Sequence, residues 1–377
     1  MAKRTFRLSK RRLAVIFGVG FLVGAGAYVV LDRIAQSRAE AALAKIEHRL
    51  PDDARLAYTR LDASFLAQSA TLDSVIFQIG ARQIRANTLT VADVGETSGG
   101  NLRAGEVTAK GITGRTGNGV RVNARTARLA DLMMAPDGRT LRSLGEARVD
   151  TLSLSRGEGS VRVSDLEIRG AGPRRVGRIA AGVVEMRGMT AGADDRETLR
   201  GLRVDGLDFS AVPPIPRSEG LEPARLAAII RELTYDAVQV RKTELYRAGE
   251  RRLMLRGLES RRNESDPPTR IWTSGVDEFA VRVNSPRAKA AGVLDDQNML
   301  RGNVRGRQAY DPEAGTLAFT DMSLEVRRAG RLEGEIRFAG LPDGGAGGGV
   351  MPDRASLAKA ELARIDIVYA DNGILDA

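Results

Sequence analysis

The sequence predicts a mainly β protein: an N-terminal transmembrane helix, then an elongated antiparallel β-sheet with one short helix between two β segments. Three observations carry this. A basic head runs into nineteen uncharged residues, Leu13–Leu31. After Pro51 apolar residues recur two apart in short runs bounded by Gly, Asp or Asn, the strand period. The composition, 42 Gly with 4% aromatics, suits many strands and turns better than one densely packed core.

Residues 1–12 form a basic head with Lys3, Arg4, Arg7, Lys10, Arg11 and Arg12 and no acid. Residues 13–31 at about 1.5 Å rise per residue span roughly 28 Å, close to the hydrocarbon core of a bilayer. The positive-inside rule keeps the head cytoplasmic and sends the rest across the membrane. Ala25-Gly26-Ala27 offers the small-x-small pattern of a cleaved signal peptide. Against cleavage, the apolar run continues through Tyr28-Val29-Val30-Leu31, so the segment reads as a retained anchor. Gly20 and Gly24 make a GxxxG, a candidate helix–helix contact set against the ordinary tolerance of Gly in membrane helices.

Residues 32–50 lack Gly and Pro and read as a connecting helix. A first β-rich region follows over 51–211, with apolar pairs such as Val161/Val163, Leu166/Ile168 and Leu202/Val204. A loose repeat of strand, Asp or Gly, strand recurs at Leu72-Asp73-Ser74-Val75, Val149-Asp150-Thr151-Leu152, Val163-Ser164-Asp165-Leu166 and Val204-Asp205-Gly206-Leu207. It reads as strand pairs stacking on their neighbours. Turn dipeptides Asn118-Gly119 and Asp137-Gly138 fit between strands. Residues 212–234 give a Pro-rich linker and a short helix, 235–340 a second β-rich region, 341–353 a Gly-rich linker, and 354–377 a last strand segment near Ile365–Tyr369.

The net charge of +10 suggests a nucleic-acid partner only until the head is set aside, which leaves +4 on the remaining residues. Many arginines stand between apolar residues, as in Val161-Arg162-Val163 and Leu202-Arg203-Val204. On a strand such an arginine faces solvent while its neighbours face a core or groove, so no nucleic acid is expected. His48 is the single histidine and there is no cysteine, which removes thiol nucleophiles, histidine acid–base chemistry and clustered metal ligands. No GxSxG, Walker A or HExxH pattern occurs. The acidic pairs Asp52-Asp53, Asp194-Asp195 and Asp295-Asp296 read as loop carboxylates, because adjacent side chains diverge; a glycosidase-type pair assembled by folding stays open. Trp272 reads as a packing residue, with a ligand platform as the alternative. No catalytic residue, metal site or cofactor is expected, and the chain is not read as an enzyme.

The layout resembles the AsmA/TamB-like group of bacterial envelope proteins. The resemblance rests on Lys3–Leu31, the connecting helix, the segments Leu56–Phe65 and Ala70–Phe77, and the ladder Tyr310–Val326 with Gly330–Gly334. The closing Tyr369-Ala370-Asp371-Asn372-Gly373-Ile374-Leu375 is similar to the related membrane-anchored DUF945-type proteins. The resemblance implies a single-pass bacterial inner-membrane protein with its bulk in the periplasm. It also implies that the elongated antiparallel sheet is bent (groove-like or β-taco-like) around an apolar β-groove associated with lipid binding or transport, or with outer-membrane homeostasis. Expected partners are the membrane, phospholipid or other envelope lipids, and envelope proteins. The alternative is an assembly factor pairing exposed strand edges with client β-proteins.

Overall fold

The computed structural model describes residues 36–37, 39–41, 54–64, 68–80, 82–115, 119–136, 140–188, 195–210, 233–263, 269–341 and 360–371. The candidate anchor, its flanking Lys3, Arg4, Arg7, Lys10, Arg11 and Arg12, the GxxxG residues Gly20 and Gly24, and the helix expected over 222–233, save the non-helical Leu233, lie outside these residues. Among the described residues no helix is long and apolar enough to cross a membrane.

The strands are β1 (Ala54–Ala57), β2 (Arg60–Ser64), β3 (Ser69–Ile79), β4 (Arg82–Ala92), β5 (Gly95–Glu96), β6 (Leu102–Arg115), β7 (Arg121–Met134), β8 (Leu141–Arg156), β9 (Gly159–Ala171), β10 (Arg175–Arg187), β11 (Arg196–Asp208), β12 (Ala237–Arg247), β13 (Glu250–Asn263), β14 (Arg270–Arg282), β15 (Met299–Asp311), β16 (Thr316–Val326), β17 (Gly330–Ala339) and β18 (Glu361–Asp371). One five-residue helix, α1 (Pro286–Ala290), lies between β14 and β15, its N-cap Ser285 accepting from the Ala288 N–H at 3.2 Å.

Every ladder is antiparallel, and from β6 onward each strand pairs with the next in sequence. β1 and β2 share one column against β3, and β4 and β5 share one against β6, so the 18 strands fill sixteen columns. At ~4.8 Å per column the sheet is about 70 Å wide. Among the described residues no ladder joins β18 back to β1 or β2, and the sheet is open.

The β regions on either side of 212–234 join in one sheet, as β11 pairs with β12 from Arg196↔Tyr246 to Asp205↔Ala237. One expectation is corrected here: the strands are long, β8 with 16 residues and β9 with 13. The Asp and Gly that read as boundaries between short strands lie inside them.

Two transverse rows of such residues explain the misreading. In the first, Asp93, Gly105, Asp131, Gly145, Gly170, Gly177, Gly206 and Asp236 stand directly opposite one another on successive columns. Left-handed backbone alternates along it: Asp93 (φ 52), Asp131 (φ 52), Gly170 (φ 60) and Gly206 (φ 64) adopt it, and the residues between do not. The second row includes Asp165, Gly182, Gly201, Arg241, Gly257 and Asp277, again with positive φ on Asp165, Gly201 and Gly257.

Each row takes up one extra residue in both paired strands, a matched form of the β-bulge. Apolar residues therefore step by three across it, as in Val161, Val163, then Leu166, Ile168, and stay on one face. The Gly partner is needed for space. A Cβ on Gly105 would lie 2.7 Å from the Asp93 Cβ, and one on Gly145 would lie 3.0 Å from the Asp131 Cβ.

Burial is shallow. Among the described residues eight of the eighteen buried apolar residues are alanines, and the largest fully buried side chains are Trp272 and Leu317. Two small clusters stand out: Tyr310, Leu317 and Leu341 with Phe319, Phe338 and Ala360 packed against them, and Met254, Ala280 and Met299.

Candidate functional site

The two faces of the sheet differ in chemistry from end to end. Opposite residues on paired strands share a face, so the register defines lines that cross the whole sheet. One line reads Leu61, Leu72, Leu89, Ala109, Ala127, Val149 and Leu166, and continues on the adjoining column with Ala181, Leu202, Val240, Leu258, Val276, Val304, Leu324, Leu332 and Tyr369. All sixteen columns contribute an apolar residue. Most of these side chains are half-buried, as expected of a face whose neighbours shield one another with no second layer packed over them.

The line beside it, on the other face, reads Asp62, Thr71, Thr90, Thr108, Arg128, Arg148 and Glu167. Here the arginines meet acids: Arg128 and Glu106 at 2.8 Å, Arg148 and Glu146 at 2.9 Å, Arg178 and Asp205 at 2.7 Å, Arg203 and Asp205 at 2.6 Å. Hydrogen bonds from Arg128 and then Thr108 lower the pKa of Glu106. That from Arg148 does the same for Glu146. Burial raises the pKa of Asp205, and the Arg178 and Arg203 hydrogen bonds outweigh it, leaving the group lowered. These pairs are solvated, so water screens them and they add little to stability. They hold the arginines in a surface lattice, the placement expected for Arg162 and Arg203.

On the charged face a hollow of ≈ 800 Å³ is lined by residues including Asp277, Arg305, Asp321, Glu333, Glu335 and Asp366. Its carboxylates are engaged: Arg305 lies 3.2 Å from Asp277, and Arg337 and Arg364 lie 3.2 and 2.7 Å from Glu335. Among the described residues no group of three or more His, Cys, Asp or Glu side chains is placed to share a metal ion.

The acidic doublets are placed in part. Asp295 accepts from the Gln297 and Met299 N–H groups, both at 2.9 Å, and from Arg301 at 2.6 Å, which makes it a loop clamp between α1 and β15. Asp195 lies 3.9 Å from Arg247; Asp52, Asp53, Asp194 and His48 lie outside the described residues. Trp272 is 2% exposed and packs as expected, but its Nε1 has no acceptor.

The sheet edges differ as well. Gln36, on helical backbone, donates from Nε2 to the Leu61 carbonyl at 3.1 Å and accepts at Oε1 from the Ala63 N–H at 3.0 Å. Its carboxamide thus occupies the outer edge of β2 as one residue of a parallel strand would. At the other end β18 is exposed on both faces, with Leu362, Ile365, Val368 and Tyr369 at 55%, 56%, 64% and 48%. Sequence reasoning missed Gln36, because nothing in a lone glutamine on a polar helix signals an edge cap. No family model, curated protein or solved structure matches the chain.

Proposed function

We propose that this chain is a non-enzymatic envelope protein, held in the bacterial inner membrane by residues 13–31, whose apolar face binds lipid acyl chains in the periplasm and serves lipid transport or outer-membrane homeostasis. The observation that carries the reading is the unbroken apolar line through all sixteen columns. Strands of about 13 residues at ~3.3 Å each, in a sheet ~70 Å wide, give a face on the order of 3,000 Å². The largest apolar patch on a typical soluble monomer is about 300–600 Å², so a face of this size calls for an occupant. Covering apolar area returns about 25 cal/mol per Å², and a few hundred Å² under an acyl chain yields roughly 10 kcal/mol.

The transverse rows supply the shape. Repeated bulges bend strands and deepen their twist, and in this reading they curl the sheet around its apolar face into a groove. The AsmA/TamB resemblance points the same way. The width of about 70 Å suits a holder or relay more than a complete bridge between membranes.

The test places a photo-reactive benzoylphenylalanine at Val163 or Val204 on the apolar face, and at Arg162 or Arg203 on the charged face, of the full-length chain in cells. Lipid adducts found by mass spectrometry at Val163 and Val204 alone support the reading. Equal labelling of both faces, or none, overturns it.

A second reading, an assembly factor for envelope β-proteins, is favoured by one observation: among the described residues β18 pairs with no strand beyond β17, whereas β2 at the opposite end has a capped edge. Crosslinks from Val368 to a β-protein, absent from Asp62, would select it.

A further inference from the structure

The apolar face carries one patch of different chemistry. Along β13 the residues facing the same way as Leu253, Leu255 and Leu258 continue to Ser260 and Arg262. Along β14 those in step with Val276 continue to Trp272 and Arg270. Arg262 stands opposite Trp272, and Arg270 precedes it by one step on the same face, opposite Tyr310. Two cations and an indole N–H therefore meet at the rim of the apolar face.

Two of the three donors are unsatisfied, and the third, Arg262, is exposed. The Trp272 Nε1 and the Arg270 Nη1 are both buried without an acceptor. Among the described residues neither Arg262 nor Arg270 has an acid within ion-pair distance. On the charged face of the same two strands, Arg261 meets Glu259 at 3.0 Å and Arg256 meets Glu278 at 3.2 Å. Leaving a buried donor unpaired is costly enough that such groups are rare in folded proteins, and two at adjacent positions point to a missing acceptor. With two positive charges and, among the described residues, no acid beside them, that acceptor is an anion.

We infer that Trp272, Arg270 and Arg262 form a site for an anionic oxygen group, the phosphate of a lipid whose acyl chains lie on the apolar face toward Val276 and Phe279. The guanidiniums match phosphate oxygens in charge and geometry, and the indole N–H gives a third donor from a fixed ring. This assigns the substrate class of the proposed groove, an anionic phospholipid, and rests on that reading for the acyl chains alone. The same donors would also hold free phosphate.

Trp272 is the only tryptophan, so its emission reports on the site directly. The full-length chain in nonionic detergent is titrated separately with phosphatidylglycerol, with diacylglycerol of the same acyl chains, and with inorganic phosphate. Expected is phosphatidylglycerol binding about tenfold tighter than diacylglycerol, the scale of one charge-assisted hydrogen bond. Arg270→Gln abolishes that preference while diacylglycerol binding is kept, and Arg261→Gln on the other face changes neither. Native mass spectrometry of Trp272→Phe, which keeps the ring and loses the donor, shows the same loss of preference. Equal binding of the two lipids with no response to phosphate overturns the anion site and leaves the acyl-chain reading standing. A saturable response to phosphate with no binding of either lipid keeps the anion site and overturns the lipid groove. No response to any of the three overturns both.

Discussion

Replacing Gly257 by alanine tests whether the transverse rows are built on close cross-strand fits. Gly257 has φ +59, and a Cβ there would lie 2.6 Å from the Asp277 Cγ and 3.0 Å from the Asp277 Cβ. The alanine therefore meets two costs. Left-handed backbone in a residue with a Cβ costs about 1–2 kcal/mol. Crowding against a strand neighbour that cannot withdraw costs about 1–3 kcal/mol more. Gly249, in the β12–β13 turn, separates the two: its φ is +75 and nothing lies within 4 Å of a Cβ built there. Gly249→Ala should cost about 1–2 kcal/mol and Gly257→Ala about 2–5, read from urea midpoints followed by far-UV circular dichroism. Adding Asp277→Ala to Gly257→Ala removes the Cγ and carboxylate. It should recover most of the crowding cost, because the Asp277–Arg305 pair it sacrifices is exposed and worth under about 1 kcal/mol. Equal losses for the two glycines, or no recovery in the double variant, would refute the idea that these rows depend on a Gly facing a side chain.

Three further outcomes are expected. Leu317→Ala, at a fully buried position, should cost about 2–5 kcal/mol, whereas Leu166→Ala on the half-buried apolar face should cost markedly less, a contrast that chemical denaturation measures directly. Gln36→Leu should speed hydrogen exchange at the Ala63 amide several-fold and destabilise by about 1–2 kcal/mol, since both its edge bonds are lost. The Asp295 carboxyl is raised by burial and lowered further by the Arg301, Met299 and Gln297 hydrogen bonds, so its folded pKa lies below the ordinary 3.8. A depressed carboxyl stabilises the fold above its unfolded value, and that contribution fades as pH falls from about 4 through the folded value. Asp295→Asn should thus be less stable than the parent at neutral pH and show a shallower acid limb in a pH series of thermal melts.

The mainly β character was legible because side-chain alternation survives in almost every strand, and Val161/Val163 or Leu202/Val204 need no tertiary context to be read. Strand length was not, for a physical reason. In Val163-Ser164-Asp165-Leu166 the step of three breaks the period of two, and Asp and Gly are the residues that most often end strands. Only the register, with Asp165 opposite Gly182, shows that the break is matched on the neighbouring strand and so stays within a continuous ladder. The charged face was legible in the arginines between apolar neighbours. The anion patch was not: Arg262 and Arg270 look like any others in sequence. Their face is set by counting from the second row across the β13–β14 ladder, which sequence periodicity alone does not provide.

The edges give the sheet a direction. An open sheet of identical-looking strands has two ends able to recruit another strand, and an unprotected pair would let copies add head to tail without limit. Gln36 caps the β2 part of one of the two with a single side chain. A carboxamide carries the donor and acceptor of a peptide unit but no further backbone, so it satisfies Leu61 and Ala63 and then ends the ladder. In the proposed topology this capped end is the one next to the membrane, while β18 is the far end and carries no such plug among the described residues. Growth by pairing is therefore blocked where the chain leaves the bilayer and allowed only away from it. A Gln36→Leu chain regains a bare first edge, and if the cap is what prevents head-to-tail pairing, that variant should form concentration-dependent oligomers in sedimentation velocity that the parent does not. Oligomers shared equally by both proteins would mean that Gln36 only steadies β2, and the directional reading of the sheet would fall.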